Sequence, residues 1–147
     1  MSDEEIDAYL RRSRTDYVRE LVASGMSEVA AAARADDQQR QAFPDGRAAP
    51  GHHVRAVVEN EHTIGYVWYG PEADASHDRW WLWDIWVNES ERGRGVGREV
   101  LVVLEAEVRR LLGASLGLSV FGSNETARRL YERSGYEVVS VRMRKLL

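Results

Sequence analysis

An α/β domain, with helices layered on a mixed sheet, is the fold class this sequence predicts, on three observations. The chain has 147 residues, 44% of them hydrophobic and 30% charged, which suits one domain with a single core. Its hydrophobic period changes from helical to alternating near residue 53 and then switches repeatedly, in the order helix, helix, three strands, helix, strand, helix, strand. The most apolar strand, residues 80–87, runs into a glycine-rich turn that opens an amphipathic helix.

Residues 3–24 place Ile6, Leu10, Tyr17, Leu21 and Val22 at helical intervals, with Ser2 or Asp3 as a cap and Gly25 as a stop. Ser27 begins a second, alanine-rich helix that runs to about Gln41. Phe43-Pro44-Asp45-Gly46 and Ala49-Pro50-Gly51 break regular structure, so residues 42–51 read as a turn-rich connection. Residues 53–59 and 63–69 alternate as two strands around an Asn60-Glu61 hairpin turn. Gly70-Pro71 ends the second, and a polar stretch over 72–78 leads to the apolar strand 80–87, covered on both faces. Alternation along it sends Trp81, Trp83 and Ile85 to one face and Trp80, Leu82, Asp84 and Trp86 to the other. One set belongs to the core, and the other is a candidate wall for a pocket that favours apolar or cationic amines. From Gly95 onward, Val96, Val100, Leu104, Val108 and Leu111 mark a helix ended by Gly113. Residues 116–120 read as a short buried strand. Ser123 or Asn124 then caps a helix carrying Ala127, Leu130 and Tyr131 on one face and stopped by Gly135, and residues 136–143 alternate as a last strand.

Composition excludes several classes. The chain has no cysteine, which removes disulfide scaffolds, thiol nucleophiles and cysteine-based zinc sites. A net charge of -4 argues against a nucleic-acid partner. Of the 20 basic residues only Lys145 is lysine, an arginine surplus that is mostly compositional. No run approaches the ~18 apolar residues of a membrane span. The acidic opening Met1-Ser2-Asp3-Glu4-Glu5 is the opposite of a signal-peptide start, so a soluble cytoplasmic protein without a membrane partner is expected. His52, His53, His62 and His77 fall in turns or at strand ends, read as surface residues, and no metal is expected.

The chemistry concentrates in Arg92-Gly93-Arg94-Gly95-Val96-Gly97, at a strand-to-helix junction. Glycines there let a ligand approach the backbone, the first-turn N–H groups lack helical partners, and the helix dipole favours an anion such as pyrophosphate. A P-loop would need Gly-Lys-Ser/Thr, but Arg98-Glu99 follows Gly97. A dinucleotide fingerprint fails because Arg98 stands where its third glycine belongs. A Gly-rich turn used only for tight packing remains open on these six residues. A second constellation follows: Asn124 opens a helix, with Ala127, Leu130 and Tyr131 behind it and Gly135-Tyr136 after it.

Together these segments resemble the GNAT N-acetyltransferase superfamily. Its R/Q-x-x-G-x-G/A signature is matched by Arg92, Gly95 and Gly97, and its N-x-x-A-x-x-L-Y-x-x-x-G-Y/F pattern by Asn124, Ala127, Leu130, Tyr131, Gly135 and Tyr136. The resemblance covers residues ~53–143 well and the N-terminal helices by topology alone. It implies that backbone N–H groups over Arg92, Gly93, Arg94, Gly95, Val96, Gly97 and Arg98 cradle the pyrophosphate of acetyl-CoA. It implies that the main chain of Ile85, Trp86 and Val87 holds the pantetheine arm and offers an N–H toward the thioester carbonyl. It also implies that Asn124 contacts that arm, that Tyr131 protonates the departing thiolate, and that an amine attacks directly without a protein nucleophile. Asp84 is the sole acid inside the apolar strand. Among tryptophans its pKa rises unless it is paired, which suits a base for the amine proton, and the alternative is a salt bridge with an arginine such as Arg55 or Arg79.

The family's first strand has no counterpart here, so a sheet of about six strands is expected, unless the translation start omits a piece. The edge beside residues 53–59 must then be covered, blunted by charge or paired, and a homodimer is expected. The sequence therefore reads as one GNAT N-acetyltransferase domain over 1–147, acting on a small-molecule or peptide amine. The alternatives are a catalytically silent acyl-CoA-binding module and a nucleotide-binding protein.

Overall fold

The computed structural model describes residues 1–72 and 78–145. Helix α1 (Asp3–Ala23) starts in a capping box: the Ser2 hydroxyl accepts from the Glu5 N–H, and the Glu5 carboxylate accepts from the Ser2 N–H. It stops where Gly25, at φ +91°, lets its own N–H reach Val22 and that of Met26 reach Leu21. Helix α2 (Glu28–Ala42), capped by Ser27, packs against α1, and the residues it buries are alanines, which lets it approach its neighbours closely. No helix among the described residues is long and apolar enough to cross a membrane.

Strands β1 (His53–Glu59), β2 (His62–Pro71), β3 (Arg79–Val87) and β4 (Ser115–Leu118) form one sheet in the order β1-β2-β3-β4. The first two pairings are antiparallel and β3–β4 is parallel. The β1–β2 hairpin turns through Asn60 and Glu61, both at positive φ as a type I′ turn requires. Helix α3 (Val96–Arg110) follows β3, and α4 (Glu125–Arg133) follows β4. The sheet carries a core on each face. Val67, Tyr69, Trp80 and Leu82 are buried with Val100, Leu101, Leu104 and Val108 of α3, while Trp68 is buried with Tyr9 and Leu10 of α1 and with Phe43.

Two bulges decide which side chains reach which face. Trp68 pairs with Asp84 but Tyr69 pairs with Leu82, so Trp83 is an extra residue in β3. One inserted residue reverses the parity of everything beyond it. Trp80 and Leu82 face α3, and so do Ile85 and Val87, whereas Trp83, Asp84 and Trp86 all turn toward α1. Strict alternation, which paired Trp83 with Ile85 and Asp84 with Leu82, is corrected by this bulge. In β2, Ile64 is the extra residue opposite Val57 and Val58, and it joins the α3-facing core with Val67.

The sheet has four strands among the described residues, where about six were expected. Residues 136–143 alternate in sequence, but nothing over 136–145 pairs as a strand, and Val138, Val139, Val141 and Met143 are exposed. Alternation supplies a face, but a strand also needs a neighbouring edge in register, and this segment instead runs to Arg144. That guanidinium donates to the carbonyls of Ser24 and Gly25 at the end of α1. β1 is a sheet edge, as expected, and is blunted by exposed Arg55 and by Glu59, which is paired with Arg94. His52 and His53 are half-buried rather than superficial. His52 Nδ1 accepts from Trp68 Nε1 at 3.1 Å, and His53 stacks on Tyr69. His62 is exposed, and His77 lies outside the described residues.

Candidate active site

β4 leaves β3 early. Their pairing runs from Arg79–Ser115 to Leu82–Leu118, while β2 accompanies β3 to Val87. Over residues 83–87 the main-chain groups that β3 turns away from β2 therefore have no strand beside them. An open cleft of about 2400 Å³ occupies that gap, bounded by α1, β3, the chain after β4, α4 and the start of α3. Ile85, Trp86 and Val87 lie on its wall.

At one end of this cleft lies the glycine turn. Gly93 and Gly95 take φ +77° and +90°, and a Cβ at either would meet nothing within 4 Å, so they supply backbone conformation and open space. Gly97 differs: its Cβ would stand 3.0 Å from Leu130 Cδ2, so it lets α3 pack on α4. Gly95 is the N-cap of α3 and brings no side-chain acceptor. Arg98 and Glu99 give the first helical bonds back to the Gly95 carbonyl, which leaves the N–H groups of Val96 and Gly97 facing out of the helix end. The side chains are less free. Arg92 Nε donates to the Val87 carbonyl at 3.0 Å, and Arg94 is paired with Glu59 and Glu91. Arg98 is exposed with no carboxylate partner among the described residues. The anion site is thus chiefly backbone.

Deeper in, Asp84 meets α1. Its Oδ2 accepts from the Tyr9 hydroxyl at 3.1 Å and from Arg12 at 3.3 Å. The salt bridge anticipated from sequence exists, but with Arg12, because Arg79 is taken by Glu72. Burial raises the Asp84 pKa above the ordinary carboxylate value, against the pull of Arg12 and the hydrogen bonds. Arg12 lies 4.2 Å from the centre of the Trp86 ring and also pairs with Asp16 at 3.1 Å.

Opposite this cluster, α4 presents Asn124 and Tyr131. Asn124 Oδ1 caps the helix by accepting from the Ala127 N–H at 3.1 Å, and its side chain lies beside Glu20 of α1. Tyr131, only 9% exposed, lines the cleft and packs edge-on against Tyr136. Its hydroxyl has no hydrogen-bond partner among the described residues. Burial first, then the charges of Asp84 and Glu20, push its pKa up to about 12.

The structure thus brings residues 92–98, the end of β3, Asn124 and Tyr131 around one cleft, as the sequence reading expected, with Asp84 at its back. It adds Tyr9, Arg12 and Glu20. Their signal was available: residues 9, 12, 13, 16 and 20 recur at helical spacing, a polar stripe beside the apolar one. Only a second surface facing that stripe distinguishes it from a solvated helix face.

Comparison with known proteins places the chain in a family. The family described as Acetyltransferase (GNAT) family matches residues 15–136. The uncharacterized N-acetyltransferase YycN of Bacillus subtilis (strain 168) is 31% identical over 155 residues, covering 100% of this chain and 96% of YycN. YdgE of the same strain, also an uncharacterized N-acetyltransferase, is 27% identical over 149 residues, covering 100% and 95%. The crystal structure of YycN superposes with a TM-score of 0.91 at 28% identity, over 100% of this chain and 95% of that one. The aminoglycoside N-acetyltransferase AAC(6')-Iy, solved with CoA, shares the fold at a TM-score of 0.58 and 14% identity, over 96% and 90% of the two chains.

Proposed function

The chain belongs to the GNAT acetyltransferase family, and from that premise we propose that it moves the acetyl group of acetyl-CoA to a primary amine by direct attack within a ternary complex. The observation that carries this reading is that one cleft joins the outward N–H groups at the start of α3, the unpaired edge of β3 and the hydroxyl of Tyr131. The residues present fit the CoA pyrophosphate: open space over Gly93 and Gly95, and N–H donors at a helix end whose dipole favours an anion. Acetyl-CoA supplies an acetyl group activated as a thioester.

Each element of the cleft then has a task. The Arg92–Arg98 backbone anchors phosphate, with Arg98 the cation free to assist. The open main chain of residues 85–87 aligns the extended arm and places an N–H donor where negative charge develops on the carbonyl oxygen. Tyr131 holds its proton throughout the neutral range and delivers it to the leaving sulfur. Asp84 already accepts from Tyr9 and Arg12, so its part is electrostatic: it keeps Arg12 against Trp86 on the acceptor side. Asn124, through its cap, sets the start of α4.

A thiol-release assay with acetyl-CoA and a panel of amines tests the reading. Release that depends on both substrates is the expected result. CoA binding without release from any amine would instead establish an acyl-CoA-binding module, and stabilisation by ATP rather than CoA in a thermal shift would point to a nucleotide site.

A further inference from the structure

α1 and β3 bring three carboxylates to the acceptor side of the cleft, Asp16, Glu20 and Asp84. Two are neutralised. Arg12 bridges Asp16 and Asp84, and Arg19 adds a second contact to Asp16 at 3.2 Å. Glu20 has no cationic partner among the described residues. It is half-buried and lies beside Asn124 of α4. Asn124 Oδ1 is spent on the α4 cap, which leaves its amide N–H₂ as the end free to turn toward the cleft. A half-buried carboxylate beside two other acids, lacking a counter-ion, is an incomplete electrostatic arrangement that an incoming cation completes. The nearby hydroxyl of Tyr131 is likewise unpartnered, and the aromatic rings of Tyr17 and Phe121, 6.2 Å apart, line the same cleft.

We propose that Glu20 is the carboxylate that receives the acceptor's ammonium group and takes its first proton. The inference rests on the transfer reading above and narrows the acceptor to amines that arrive as cations. The balance is complete. An ammonium nitrogen loses two protons in becoming an amide. The first passes to Glu20 and on to solvent as the free amine forms. The amine lone pair then makes the C–N bond while the C–S bond breaks. The nitrogen's second proton then passes, through solvent, to the Tyr131 phenolate and replaces the proton that Tyr131 gave to sulfur.

The groups facing Glu20 bear on its behaviour with pH. Asp16 on its own helix and Asp84 from β3 add negative charge, the uncharged Asn124 side chain from α4 lies beside it, and Tyr131 from α4 stays neutral. Burial and the two acids raise the Glu20 pKa above the ordinary glutamate value. An alkyl amine resembles lysine, so at pH 7 roughly 1 molecule in 2,500 is unprotonated, and at pH 9 roughly 1 in 25. A base is therefore most needed at the lower pH.

The test uses phenethylamine as probe acceptor with wild-type protein, Glu20→Gln and Glu20→Asp. Three readouts are taken: kcat/KM from pH 6 to 9, CoA affinity by calorimetry, and phenethylamine affinity for the CoA-saturated protein. Glu20→Gln should lower kcat/KM about 100-fold or more at pH 7. The deficit should shrink toward pH 9, CoA affinity should hold, and amine affinity should fall. Glu20→Asp, which keeps the charge, should recover part of each loss. Wild-type-like kinetics and amine binding in Glu20→Gln would overturn the assignment. Amine binding that depends on Glu20, without turnover by wild type, would reject transfer and support Glu20 as the ammonium site. Neither binding nor turnover of this or any other amine in the panel would reject both.

Discussion

Tyr131→Phe removes one oxygen atom from a ring that is 9% exposed and packs against Tyr136 with centroids 5.8 Å apart. The ring contacts survive the change. A hydrogen-bonded hydroxyl is worth about 1 kcal/mol to a fold, but this one has no protein partner among the described residues, so no group is left unpaired by its loss. A chain of this size loses ~2–4 °C of Tm per kcal/mol, and the variant should melt within about 2 °C of wild type. The reaction should respond very differently. Loss of a general acid costs about 10²–10⁴-fold, which is about 2.7–5.4 kcal/mol at 1.36 kcal/mol per tenfold. CoA affinity should hold, because the phosphate cradle at residues 93–97 does not include Tyr131. Thermal melting, calorimetric titration with CoA and stopped-time thiol release measure the three quantities on one preparation. A kcat within threefold of wild type would remove Tyr131 from the chemistry. A fall in Tm above about 5 °C would make its hydroxyl structural. With its pKa raised to about 12, Tyr131 should impose no alkaline limb on the rate below pH 10.

The two helix-opening glycines should separate in a melting experiment. Gly95→Ala puts a side chain at φ +90° in open space and should cost about 1–2 kcal/mol through backbone strain alone. Gly97→Ala exchanges a helix gain of about 0.5–1 kcal/mol for a 3.0 Å approach to the flexible end of Leu130, so its Tm should stay near wild type; equal losses at both would refute the distinction. Asn124→Asp keeps the α4 cap but puts a negative charge beside Glu20 in place of a neutral amide. Glu20 accepts a proton only when ionised, so its pKa should rise and the acid limb of kcat/KM should move to higher pH, and an unmoved limb would separate the two residues. Native mass spectrometry should find a dimer of the 16.7 kDa chain, since β4 ends the sheet among the described residues and Val138, Val139, Val141 and Met143 are exposed; a monomer would refute it.

Much of this molecule can be read from local pattern. The caps at Ser2 and Ser27, the stop at Gly25, the hairpin at Asn60-Glu61 and the α3 stripe depend on residues within a few positions of one another, and each is realised. The anion cradle is equally local, because a helix end and its preceding glycines form it without help from distant chain. The final alternating segment shows where this stops. Residues 136–143 carry a strand pattern, but a strand exists only beside another, and the pattern does not name that neighbour.

By itself the sequence determined the element order as far as α4 and the glycine turn, which follow from side-chain period and backbone freedom along the chain, while Asn124 and Tyr131 were singled out by the family pattern they match. The tertiary structure decided what faces what. An extra residue at Trp83 turned Asp84 and Trp86 toward α1, and α1 answered with Tyr9, Arg12 and Glu20. Alternation is blind to a bulge, because a bulge arises from the register between two strands. Counter-charges are hidden for the same reason: Arg12 lies 72 residues from Asp84, and only the packing of α1 on the sheet makes them partners and leaves Glu20 without one.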